Sequence, residues 1–98
     1  MPAIARIGDT ITTGHGCDST ALIGEGSPDV FCNNIGVARE GDAIAPHTIL
    51  SGIVCVPHSA VVNEGSPDVF VNNIALARVG DSADQGSIQT GSPDSFAN

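Results

Sequence analysis

The sequence predicts an all-β fold: three pseudo-symmetric repeats of short strands, closed by pairing of the two ends of the chain. Three observations carry that expectation. Two short motifs each recur three times, the segment between them has a constant length and strand–turn–strand character, and no stretch shows helical periodicity.

The first motif is Ala-Arg-x-Gly-Asp, present as Ala5-Arg6-Ile7-Gly8-Asp9, Ala38-Arg39-Glu40-Gly41-Asp42 and Ala77-Arg78-Val79-Gly80-Asp81, so every positive side chain occupies one repeated position. The second is Gly-Ser-Pro-Asp-x-Phe, running from Gly26 to Phe31, Gly65 to Phe70 and Gly91 to Phe96, which places every Phe at another. From the second motif to the next Gly-Asp is 15 residues both times, which marks this segment as scaffold. From Gly-Asp to the next Gly-Ser-Pro the gaps are 18, 24 and 11 residues, so the first two repeats carry insertions of 7 and 13 relative to the third. Residues 1–98 therefore read as one domain, with repeats spanning about 3–35, 36–74 and 75–98.

Within the scaffold, Asp29 to Arg39 reads as a strand, an Asn33-Asn34 turn and a second strand, and the second repeat does the same through Asn72-Asn73. Asn tolerates positive φ, which a type I′ hairpin turn requires at both central positions. Pro28, Pro67 and Pro93 stand at strand entries, where a missing amide donor is harmless. The third copy stops at Phe96-Ala97-Asn98 and lacks its second strand, while Ala3-Ile4-Ala5-Arg6 aligns with Gly36-Val37-Ala38-Arg39 and lacks a first. The two ends are therefore expected to pair antiparallel.

Composition narrows the function. With three Phe, no Trp or Tyr, 12 Gly and 6 Pro, a core of large side chains is not available to so short a chain, and another staple is expected. A net charge of −8 with no Lys leaves little with which to bind a nucleic-acid backbone. The start of the chain has no basic segment followed by an apolar one, and no apolar run approaches about 18 residues, so neither an export signal nor a membrane-spanning helix is expected.

Each Arg has an Asp three residues on, which favours local ion pairs over a three-fold anion site. Phe31, Phe70 and Phe96, the only aromatics besides His, are expected in a shared core rather than on an exposed docking patch. Asp29, Asp68 and Asp94 follow Ser-Pro and read as turn formers. The chemistry lies in the insertions: His15, His47 and His58, with Cys17 and Cys55, all fall inside the two longer gaps. Three Cys suit no complete set of disulfides, and Cys55-x-x-His58 has a chelating spacing. The pattern points to a structural site of His15, His47, Cys55 and His58, with Cys17 the rival fourth ligand and Cys32 an ordinary buried side chain.

Taken together, the triple Ala-Arg-x-Gly-Asp, the Gly-Ser-Pro turns and the His/Cys-bearing loops resemble the PAAR-repeat family across essentially the whole chain. The eponymous Pro-Ala-Ala-Arg is kept only in its Ala-Arg half. The resemblance implies a sharp cone whose broad face sits on the blunt end of a trimeric β-helical spike, one copy per trimer, in a contractile phage tail or a type VI secretion system. It also implies a zinc ion near the apex held by three His and one Cys, matching His15, His47, Cys55 and His58, with iron the alternative metal. Ile4, Val37 and Leu76 supply three equivalent apolar side chains for the contact with the spike. On this reading the protein is a non-enzymatic tip of a phage baseplate spike in the virion, in transient contact with a target envelope. The alternatives are a type VI tip, secreted and recruiting effectors, and a small metalloenzyme. The enzyme is disfavoured because the His-bearing stretches contain no Glu to act as general base.

Overall fold

Two Asn-Asn pairs set the most regular units of the molecule. Asn33 and Asn34 have φ of 56° and 64°, and Asn72 and Asn73 have 54° and 64°, the left-handed values of a type I′ turn. They join β3 (Phe31–Cys32) to β4 (Ile35–Gly36) and β7 (Phe70–Val71) to β8 (Ile74–Ala75). The computed structural model describes residues 1–98 as ten short strands with no helix. The other strands also form two-stranded antiparallel hairpins: β1 (Thr10–Thr12) with β2 (Thr20–Leu22), β5 (His47–Ser51) with β6 (Val54–His58), and β9 (Ser82–Ala83) with β10 (Gly86–Ser87). The molecule is compact, with extents of 41 × 24 × 21 Å.

Isolated hairpins of this size are marginal in water, so the order must come from how they join. Of 47 backbone–backbone hydrogen bonds only 14 lie within strand pairs, which puts most of the backbone pairing in turns and bridges. Those bridges run cyclically. Arg6 bridges Val37, Arg39 bridges Leu76, and Ile4 bridges Arg78; likewise Ile23 bridges Ile44, Val62 bridges Ala83, and Ile11 bridges Ile88. Ala3 forms an antiparallel bridge to Phe96, and Ala97 N–H donates to the Pro2 carbonyl at 3.0 Å, so the two ends of the chain lie side by side.

The core is correspondingly made of repeat-equivalent residues. One cluster contains Ala5, Ala38 and Ala77; Ile11, Ile44 and Ala83; and Ile23, Val62 and Ile88. A second contains Cys32, Val71 and Ala97 together with Val37 and Leu76, and Ile4 packs against it. Small side chains at the centre let three backbones approach closely, which is why the scarcity of large residues is compatible with a dense interior.

Two expectations about this core are corrected. Phe31, Phe70 and Phe96 are 59 %, 59 % and 50 % exposed, not buried. Side chains alternate along a strand, and the residues that follow them, Cys32, Val71 and Ala97, take the inward position. Conversely, Val37 and Leu76, expected with Ile4 as spike contacts, are each only 3 % exposed, because the bridges to Arg6 and Arg39 turn them inward.

Polar groups lock the repeats. Arg6, Arg39 and Arg78 each pair with the Asp three residues on, whose carboxylate also accepts the same Arg backbone N–H. In each Ser-Pro-Asp turn the Ser hydroxyl accepts two backbone N–H groups, as Ser27 does from Asp29 and Val30. Glu25 and Glu64 reach into the following repeat and accept the backbone N–H groups of Ala43 and Ser82. No buried side-chain nitrogen or oxygen lacks a partner.

The exchange of roles between Phe and Ile is testable by thermal unfolding. Ile23→Ala, which empties a fully buried position, is expected to cost about 2–5 kcal/mol. Phe31→Ala is expected to stay within about 0.5 kcal/mol of the parent, as for a surface change.

Candidate metal centre

His47 is the first residue of β5 and His58 the last of β6, and they are direct cross-strand partners, so both imidazoles stand on one face of the hairpin. His15 comes from the loop between β1 and β2. That loop is pinned by Thr13, which is fully buried and donates its hydroxyl to the Asp18 carbonyl at 2.6 Å. Gly14, with φ of 76°, lies so close to the turn between β9 and β10 that a β-carbon there would overlap the Gln85 carbonyl. This approach sets His15 beside Asp84, which occupies that turn with φ of 54°.

Four side chains converge. His15 Nε2 and His47 Nε2 lie 2.7 and 2.8 Å from Asp84 Oδ2, and His58 Nε2 lies 3.1 Å from Oδ1. The ring centroids are 4.8 to 5.3 Å apart. His15, His47 and Asp84 side chains are almost fully enclosed, and His58 is one quarter exposed. Burial alone would push the Asp84 carboxyl up, but with the imidazoles charged their Nε2–H groups donate to it, outweigh burial and hold the group below the ordinary carboxylate range.

The donor set fits a metal ion for a reason visible in its hydrogen bonds. His15 Nδ1 lies 3.1 Å from the Gly16 carbonyl and His47 Nδ1 lies 3.0 Å from the Ala45 carbonyl. A carbonyl only accepts, so both Nδ1 atoms carry protons, and in the neutral ring each Nε2 then aims a lone pair at the Asp84 carboxylate. Without a cation that pair of contacts needs imidazolium rings stacked 5.3 Å apart, which like-charge repulsion opposes. A divalent ion among the Nε2 atoms and the carboxylate removes the conflict, with the Nδ1–carbonyl bonds as its outer support. All four ligand atoms fall within 4.8 Å of one another, the compass of one small ion. The cluster can therefore hold a metal.

Three of the four expected ligands come together and the fourth does not. Cys55 is bonded to Cys17, the rival candidate, so neither offers a thiolate. The Cys55-x-x-His58 spacing chelates from a turn, but both residues lie on strand β6, where side chains three apart point to opposite faces. The disulfide spans 38 residues and joins the two insertions, a constraint worth about 4 kcal/mol on the chain-entropy scale. Asp84 takes the vacant place. Sequence reasoning passed over it because the third gap holds neither His nor Cys, yet it is the one acidic side chain in that gap outside the repeated motif. Cys32 is a free, buried thiol, as expected.

In comparisons with known proteins, the chain matches no family model and no curated relative.

Elemental analysis of the purified protein is expected to find one metal ion per chain, lost in His47→Ala and in Asp84→Ala. It should be retained when Cys17→Ser and Cys55→Ser are combined. Acid should release it: protons compete with the metal for the imidazole nitrogens, so occupancy is full at neutral pH and falls as the pH drops. Asp84, whose carboxyl is held low, stays ionised while the imidazoles take up protons.

Proposed function

We propose that this protein is a non-enzymatic tip that caps and sharpens a trimeric β-helical spike of a contractile injection machine, by preference the baseplate spike of a phage tail. The observation that carries the reading is the set of exposed aromatics. Phe31, Phe70 and Phe96 occupy equivalent positions of the three repeats and flank one small core cluster. Val30, Ile35 and Ile74 add exposed apolar surface beside them. Three like patches on one chain are what a single subunit needs to satisfy three identical chains of a trimer end, and exposed apolar surface of this extent is disfavoured unless a partner covers it. The contact thus moves from Ile4, which is partly buried, and Val37 and Leu76, which face inward, to the Phe set.

Each repeat runs along the chain through core residues to its His or Asp and back through core residues to its Phe. We read this order as a pseudo-three-fold cone with its base at the Phe set and its apex at the metal centre and the β5–β6 hairpin. A structural ion holds an apex too narrow for a hydrophobic core, and zinc suits a closed four-donor set of imidazoles and one carboxylate. With Asp84 as fourth donor no ligand position is kept for water, which disfavours the metalloenzyme. The Cys17–Cys55 disulfide suits work outside a reducing cytosol, as at the tip of a virion or a secreted spike.

Native mass spectrometry of the protein with the terminal β-helix of the spike encoded in the same genome is expected to show one metal-loaded copy per trimer. Phe31→Asp combined with Phe70→Asp should weaken that complex by about thirty-fold or more while the metal stays bound. Equal binding by parent and double variant would sink this placement of the interface.

A further inference from the structure

The longest hairpin of the fold ends in apolar side chains that the chain leaves half or more exposed. Leu50, Ile53 and Val54 are 53 %, 98 % and 55 % exposed. From Thr48 to Pro57 there is no charged residue, in a chain of net charge −8. The turn is well formed: Gly52, with φ of 63°, takes the first central position, as a type II′ hairpin requires. Its stem is fastened by the Cys17–Cys55 disulfide and by Leu50 N–H donating to the Gly16 carbonyl at 3.1 Å. Beyond that stem no hydrogen bond joins Ser51–Val54 to another part of the molecule. The one disulfide of the protein thus holds an apolar point out in water.

We propose that this point, Leu50 to Val54, is a lipid-inserting wedge that enters the interfacial zone of a bilayer with zwitterionic headgroups. Three features select that occupant. The tip is exposed and no pocket opens beside it, so it offers no enclosed site for a peptide or small molecule. A stable protein contact takes about 800 Å² from each partner, beyond what a few residues at a hairpin end supply, whereas a bilayer accepts a few inserted side chains. The tip is uncharged on an acidic chain, which removes attraction to anionic lipid and leaves apolar insertion as the driving force. Insertion is shallow, because the outer edges of a two-stranded hairpin carry unpaired backbone groups that hydrocarbon cannot satisfy. The inference rests on the cap reading for what drives tip and membrane together.

The chain contains no Trp, so Ile53→Trp introduces a single reporter. Metal-loaded Ile53→Trp mixed with phosphatidylcholine vesicles is expected to shift its emission to the blue and to be quenched by brominated acyl chains, while Phe31→Trp stays unquenched. Ile53→Ser should lower vesicle partitioning about ten-fold without changing metal content. Absence of quenching at position 53, quenching at position 31 instead, or stronger binding to phosphatidylglycerol than to phosphatidylcholine would each overturn the proposal. So would a blue shift that grows with protein concentration in the absence of vesicles, which would assign the tip to self-association. The assay uses the free chain, so its failure leaves spike binding standing, and failure to bind a spike leaves this result readable.

Discussion

The cyclic bridging of the three repeats is the constraint on which the rest of the molecule depends. No hairpin here has the length or the buried area to stand alone, and the strands of the scaffold are two residues long. Each becomes ordered because its neighbours supply the missing backbone partners: Ala38 N–H donates to the Ala5 carbonyl, Ala77 N–H to the Ala38 carbonyl and Ala5 N–H to the Ala77 carbonyl, and Ala3 and Phe96 bridge where the two ends meet. Once three backbones converge this closely, only aliphatic side chains and a thiol fit between them. That accounts for a core of Ala, Val, Ile, Leu and Cys with the Phe rings outside.

The same closure creates the site. The insertions on the first two repeats and the short gap on the third rise from equivalent points of the ring, so residues as distant in sequence as His15 and Asp84 meet at 2.7 Å. Each repeat contributes to the cluster: His15 from the first, His47 and His58 from the second, Asp84 from the third. A metal ion there would complement the disulfide beside it: the ion would tie all three repeats, and the disulfide fixes the β5–β6 hairpin to the loop that carries His15.

Distribution of chemistry follows from this organisation. Aromatic surface is confined to the Phe positions, the ligand cluster is almost enclosed, and the longest hairpin ends without charge. A chain with few large residues thereby gains two separate apolar surfaces, one triplicated and one single.

By itself the sequence determined the all-β class, the I′ hairpins at Asn33-Asn34 and Asn72-Asn73, the pairing of Arg with the Asp three residues on, and three His as candidate ligands. Those features are local or repeated, so spacing and turn chemistry suffice to read them. Only the tertiary structure decided which way each strand faced, since a two-residue strand carries no alternation to read, and so Phe went outward and Val37 and Leu76 inward. It also decided the fourth ligand. A Cys-x-x-His pair chelates from a turn but diverges on a strand, and Asp84 reaches the histidines only because closing the ring brings the third gap against the other two.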